Sequence, residues 1–194
     1  MIAYIEGKLT YKSPALVHLD VQGLGYEVQI SLNTYSRIRN LESCKLQTYL
    51  HIKEDAHTLY GFFDEGEKAV FLLLISVAGV GAATARMMLS SLQPDEIRRA
   101  ILMENEKVLE SIKGIGAKTA KRLILELKDK IFRQRDDNQI SAFTNNTIQS
   151  DALNALIALG ISRSAAEAAV QQVIKTETPI PGLEELIKKS LKNL

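Results

Sequence analysis

A chain of 194 residues with 46% apolar side chains and a net charge of +1 has the composition of a folded protein of one large or two to three small domains. Cys44 is the single cysteine, which excludes an internal disulfide, and Val70–Ala78 is too short an apolar run to cross a bilayer. No signal peptide opens the sequence, so the expectation is a cytoplasmic protein with no membrane partner.

Residues 1–63 carry six acidic and six basic side chains and read as an all-β module. Strand-forming residues run from Ile2 to Lys12. Ala15, Val17, Leu19 and Val21 then alternate with Leu16, His18 and Asp20, and Tyr26, Val28 and Ile30 with Glu27 and Gln29. Leu46, Thr48, Leu50 and Ile52 share a fourth face, and Thr58–Phe63 makes a fifth run. Five short period-two runs predict a five-stranded OB-fold barrel. Between the fourth and fifth lies Lys53-Glu-Asp-Ala-His57, a hairpin tip whose adjacent carboxylates, Glu54 and Asp55, read from composition alone as solvated turn residues.

Residues 64–135 turn helical and basic, with thirteen basic and ten acidic side chains. Glu67–Ser76 predicts an apolar helix, Arg86–Leu92 part of a second, Pro94-Asp-Glu96 a helix start, and Glu106–Ile112 a further short helix. A last helix from about Ala117 toward Arg133 places Ala120, Leu123, Ile124, Leu127 and Ile131 on its core side. Within this region a motif occurs twice, 35 residues apart. Gly79-Val80-Gly81 and Gly114-Ile115-Gly116 share flanks at Ala82/Ala117, Thr84/Thr119, Ala85/Ala120, Arg86/Lys121 and Leu92/Leu127. Such a turn allows positive φ, and the helix after it offers unpaired N–H groups and its positive dipole end. A phosphate oxygen fits there, with Lys118, Lys121 and Arg122 supplying charge. The plainer reading is a pair of helical corners that only pack together.

Residues 136–150 are polar, without periodicity, and predict a flexible linker. Residues 151–194 then predict a three-helix bundle: Asp151–Leu159 stopped by Gly160, Ser162–Lys175, and a helix opened by Pro181-Gly182. At a net charge of −2 for residues 136–194, this tethered piece suggests a protein-docking module. There is no G-x-x-x-x-G-K-[ST] phosphate loop, and His18, His51 and His57 lack metal-ligand spacing, so neither a cofactor nor a metal is expected.

Gly23-Leu-Gly-Tyr-Glu-Val28, Lys53-Glu-Asp-Ala-His-Thr-Leu-Tyr-Gly-Phe62, the two glycine turns with Ala117-Lys-Thr-Ala-Lys-Arg-Leu123, and Ala155-Leu-Ile-Ala-Leu-Gly160 carry a further signal. With the order of barrel, paired corners, linker and bundle, the whole chain resembles the RuvA family of bacterial Holliday-junction-binding proteins. The resemblance implies tandem helix-hairpin-helix motifs and a non-catalytic homotetramer, single or as two facing tetramers, that holds a four-way DNA junction open and square-planar. Glu54 and Asp55 would then be acidic pins that repel phosphates at the crossover. The C-terminal bundle would dock a RuvB-like hexameric ATPase for branch migration in recombination and repair, through Leu156, Leu159, Ile161 and Leu191, and a RuvC-like resolvase would join the complex. Ile161 stands where some relatives carry an aromatic residue. Ala83 and Ala117 replace lysines found in others, which shifts phosphate binding onto Lys118, Lys121 and Arg122.

Two other readings compete. A helix-hairpin-helix glycosylase needs a carboxylate roughly 20 positions beyond the hairpin on a pocket wall; Asp136 and Asp137 stand near that spacing, but inside the polar tract. A protein-only scaffold would use both corners for packing alone.

Overall fold

The computed structural model describes residues 2–139, 146–176 and 181–193, with the backbone alone at 133–139, 146, 147 and 150. The chain divides into two compact units, Met1–Phe132 and Arg133–Leu194.

The first unit begins with alternating strands that cannot all bury one face unless the sheet curls. β1 (Tyr4–Lys12), β2 (Leu16–Val21), β3 (Leu24–Ile30), β4 (Ser43–Ile52) and β5 (His57–Phe62) close into a barrel in the order β1-β2-β3-β5-β4. The pairings are antiparallel except β3 with β5, the arrangement of an OB-fold. Ile5, Leu9, Val17, Leu19, Val28, Ile30 and Leu46 fill the interior. At Gly7 the strands approach so closely that a Cβ would stand 2.2 Å from the Asp20 carbonyl oxygen, so this position tolerates no side chain.

A short helix, α1 (Leu32–Ile38), bridges β3 and β4 and has no counterpart in the sequence periodicity. At seven residues it is too short for an apolar stripe. Its one local sign is Ser31, whose Oγ accepts the Thr34 N–H at 3.0 Å as an N-cap.

Five helices follow, the last running on past the end of this unit: α2 (Glu65–Ile75), α3 (Ala82–Ser91), α4 (Pro94–Leu102), α5 (Glu106–Glu110) and α6 (Ala117–Gln139). Asp64 caps α2 by accepting the Glu67 N–H at 2.8 Å, and Glu96 takes the Gln93 N–H at the start of α4 at 2.8 Å. Ala120, Leu123, Ile124, Leu127 and Ile131 all lie in the core, as the 3.6-residue period predicts. The helices do not form a separate core. Phe71 of α2 packs against Tyr60 and Phe62 of β5 and Tyr49 of β4, with ring centroids 5.3, 4.8 and 5.5 Å apart. Each such pair adds about 0.5–1.5 kcal/mol beyond area burial, so barrel and helices are one packed body.

A buried carboxylate ties the same seam. Glu67 accepts hydrogen bonds from the Ser31 hydroxyl, the Thr34 hydroxyl at 2.6 Å and the Phe63 amide at 3.3 Å. Asn33 donates from Nδ2 to the carbonyls of Leu89 and Leu92 at 2.6 and 2.9 Å, satisfying groups the end of α3 leaves open.

Helical backbone covers both ends of the stretch expected as a linker, 136–150. The α6 backbone continues past Arg133 to Gln139, because 134–139 hold neither glycine nor proline to stop it, and low propensity at Asp136–Asn138 is only a weak brake. α7 (Asn146–Ala158) begins five residues before the expected Asp151, and residues 140–145 fall outside the described residues. In the second unit α7 packs with α8 (Arg163–Thr176) and α9 (Leu183–Lys192) around Ala152, Leu156, Ala166, Val170, Val173 and Leu186.

Candidate nucleic-acid interface

The two glycine corners are built alike, on four matched hydrogen bonds. Ser76 and Ser111 donate their hydroxyls to the carbonyls of Leu73 and Val108, both at 2.8 Å. The amides of Val77 and Ile112 reach Leu74 and Leu109 at 3.2 Å, and those of Val80 and Ile115 reach Val77 and Ile112 at 3.0 Å. The amides of Ala85 and Ala120 then open the next helix on Gly81 and Gly116, both at 2.9 Å. Gly79 and Gly114 hold φ at +94° and +95°, where a side chain would be strained.

This construction divides the six turn residues by task. Val80 and Ile115 have buried side chains, 4% and 5% exposed, and amides already spent inside the turn. They plug the corner into the core and set its shape; they offer a ligand neither side chain nor N–H. Gly81 and Gly116 face open space, for a Cβ on either would meet no atom within 4 Å. Gly81 is the N-cap of α3 and provides no side-chain bond to its first amides. Those amides have no capping partner among the described residues, and a helix start left open in this way is where an anion binds best.

Around the second corner Lys118 is exposed and has no partner among the described residues, and Lys113 in the turn itself is the same. Lys121 lies 3.9 Å from Glu106, and Arg122 bonds Glu126 at 2.7 Å. Exposed pairs of this kind are worth about 0–1 kcal/mol, so a phosphate can displace the carboxylates at little cost. Further along α6, a charge-assisted bond from Lys128 to Glu104 holds the Glu104 carboxyl below its ordinary range and raises the Lys128 ammonium.

The first corner has different surroundings. Ala78 and Ala83 carry no charge. Arg86, which occupies the place of Lys121, turns away and donates from one terminal nitrogen to Ala15 O at 2.9 Å, Gln29 Oε1 at 2.9 Å and Ile30 O at 3.4 Å in the barrel. A cation reaches this corner from another helix: Lys130 Nζ of α6 is 3.5 Å from Ser76 Oγ. The sequence reading missed Lys113, although it lies inside the motif. It also missed Lys130, which is 54 residues from Ser76 and has no local signal.

The acidic tip sits on the β4–β5 hairpin, closed by the Lys53 amide bonding Ala56 O at 2.9 Å. Ile52 has the parity of buried Leu46 and Thr48 yet is 63% exposed, because the ladder runs on past the barrel to Ile52↔His57. Glu54 and Asp55 are exposed at this projecting end, with no partner among the described residues.

In the second unit the four residues expected to dock a partner separate. Leu156 is fully buried in the bundle core and presents no surface. Leu159 and Leu191 are 64% and 42% exposed, and Ile161 packs half-buried against the core. Gly160, at φ +90°, ends α7 with the Ile161 amide returning to Leu156 O at 3.2 Å, a Schellman turn that places Leu159 and Ile161 on either side of the bend. Ile157, 38% exposed, was not singled out from sequence. Among the described residues no helix is long and apolar enough to cross a membrane, and no group of His, Cys, Asp or Glu gathers as a metal site.

Family models match this layout in order: RuvA N terminal domain over residues 1–61, SAM-like Helix-hairpin-helix tandem over 71–129, and RuvA, C-terminal domain over 147–194. The chain belongs to the RuvA family. A relative from Cytophaga hutchinsonii is 49% identical over 197 residues, covering 99% of each chain. One from Flavobacterium psychrophilum is 48% identical and one from Christiangramia forsetii 46%, each over 194 residues and the full length of both chains. All three are named Holliday junction branch migration complex subunit RuvA. The RuvA domains account for the barrel and the bundle, and the tandem model spans both glycine corners.

Proposed function

We propose that this chain is the junction-binding subunit of a branch-migration complex. The observation that carries the reading is the pairing, in one compact unit, of two identically built amide corners with a projecting, unneutralised acidic tip. The corners suit phosphate backbone, and backbone contacts carry no sequence information, so recognition is of shape. A carboxylate and a phosphate ~5 Å apart in water repel by roughly 0.8 kcal/mol. Four subunits about a four-fold axis would gather Glu54 and Asp55 at the crossover, where the summed repulsion parts the strands and sends each into an arm. Lys113, Lys118, Lys121 and Arg122 would hold duplex arms at the second corner, and the helix-start amides after Gly81 at the first.

The chain lacks a nucleotide phosphate loop, so force must come from a partner. A RuvB-like hexameric ring ATPase docking on the C-terminal bundle is the proposed motor, with Leu159, Ile161 and Leu191 as its contacts and Leu156 supporting them from the core. A RuvC-like resolvase is the proposed third member, and the cytoplasm the proposed location.

The test is energy transfer between dyes on the arm ends of a four-way junction in magnesium, where the free junction is folded. Addition of the protein should bring the arm-to-arm distances to those of an open square. Glu54→Gln with Asp55→Asn should keep or raise affinity while losing the open form. Weaker binding by that variant, with the junction still opened, refutes repulsive pins.

A further inference from the structure

We infer that Arg86 is a positioning residue for junction selectivity: it locks the first corner's helix to the barrel strand beside the acidic hairpin and does not bind DNA. The inference rests on the junction binding proposed above.

The repeat supplies the contrast. Arg86 and Lys121 each stand five residues past the second glycine of their corner, on the first turns of α3 and α6. Lys121 is 67% exposed in its side chain and leans only on Glu106. Arg86 is half-buried and its guanidinium meets three oxygens of the barrel. A phosphate would have to strip those acceptors to capture it.

Where those acceptors sit gives the contact its consequence. Ala15 O also takes the Ile30 amide at 3.0 Å, so Arg86 grips the point where β2 begins and β3 ends. Gln29 and Ile30 of β3 pair with Tyr60 and Gly61 of β5. β5 starts at His57, two residues beyond Asp55 of the tip. The path from first corner to acidic tip therefore runs through α3, Arg86, β3 and β5, all within one packed unit. α3 has a second attachment toward its other end, where Asn33 holds Leu89 O and Leu92 O and Ser90 Oγ accepts the Leu32 amide at 3.1 Å. Without Arg86 the polar ties from α3 to the barrel are confined to that far end, and the corner is held in place by the packing of Val80, Ala82, Ala85 and Met88 alone. A straight duplex needs no fixed relation between corner and tip. A junction does, because the arm leaves the crossover at a set distance and direction.

The experiment measures affinity for a four-way junction and for linear duplex over a salt series, using the full chain with Arg86→Gln, Arg86→Lys, Gln29→Ala and, as the standard for a phosphate-binding cation, Lys118→Ala. Lys118→Ala should lower the salt slope by about 0.9 for each phosphate that Lys118 neutralises, on both substrates. Arg86→Gln and Gln29→Ala should leave the duplex slope at the wild-type value while the junction-over-duplex preference falls about fivefold or more. Arg86→Lys keeps the charge and serves as the control for it. A lowered slope in Arg86→Gln that Arg86→Lys restores makes Arg86 a phosphate ligand and overturns the inference; so does an unchanged preference in both Arg86→Gln and Gln29→Ala. Should Arg86→Gln fail to fold, Gln29→Ala decides, since it removes an acceptor and leaves the cation. A wild-type protein with no junction preference overturns the proposed function itself, and the role of Arg86 with it.

Discussion

Gly81→Ala combined with Gly116→Ala separates what the second glycine of each corner does for the fold from what it does for DNA. Gly81 has φ −83°, Gly116 is not among the glycines held at positive φ, and a Cβ on either meets nothing within 4 Å. The unfolded chain loses freedom with each alanine, worth about 0.4–1 kcal/mol to the folded state. Alanine is a poorer N-cap than glycine by about 0.5 kcal/mol, which offsets most of that gain. Stability should therefore stay within about 1 kcal/mol, a shift of a few degrees in melting temperature. Binding is another matter. The added methyl stands over the helix-start amides and holds a phosphate away from them. Each charge-assisted hydrogen bond removed costs about 1.5–3 kcal/mol, so removing one per corner, two in all, weakens duplex binding roughly a hundredfold or more. Thermal melting beside fluorescence anisotropy on labelled duplex reads both quantities. Wild-type melting with wild-type affinity would refute the corners as grips. The matched change at Gly79 and Gly114 forces positive φ on alanine and should cost about 1–3 kcal/mol of stability at each site.

Burial pushes the Cys44 thiol from its ordinary 9 up to about 11, with Lys12 pulling weakly the other way. The folded value lies above the unfolded one, so this contribution is complete below pH 9 and is lost as pH rises through about 11. Native protein at about pH 8.5 should resist alkylation that urea-unfolded protein undergoes readily, and Cys44→Ala should lose less stability than wild type over that alkaline range; equal alkylation rates contradict it. Glu67→Ala strands the hydroxyls of Ser31 and Thr34 in the seam between α1 and α2 and should cost about 2–4 kcal/mol by urea unfolding, whereas a loss under about 1 kcal/mol would mean the carboxylate does not hold that seam. Ser190 is fully buried in α9 with an Oγ that has no partner among the described residues, so Ser190→Ala should match or exceed wild-type stability by up to about 1 kcal/mol. A clear drop in melting temperature would reveal a partner for that hydroxyl.

The corners were legible because their information is local. Glycine spacing, the apolar residue between and the alanines after determine a backbone path, and equal spacing produced equal hydrogen bonds in both copies. The barrel was legible from strand alternation, but α1 was not, being shorter than two helical turns of pattern. Alternation also placed Ile52 with Leu46 and could not show that the hairpin outruns the barrel. The roles of Arg86 and Lys121 could not be told apart at all. Both are cations at one repeat position, and what separates them is a cluster of barrel oxygens 56–71 residues away in sequence. Leu156 and Leu159 pose the same problem in the bundle. They are three apart on one helix end, and only the packing of α8 and α9 buries one and leaves the other out.

The most direct measurement is a competition titration at fixed salt, with protein of known oligomeric mass bound to a labelled four-way junction and displaced by unlabelled junction or by linear duplex of the same arm sequence. If amide corners grip the backbone while the acidic tips part the crossover, the duplex should be far the weaker competitor. Equal displacement by the two would contradict that arrangement.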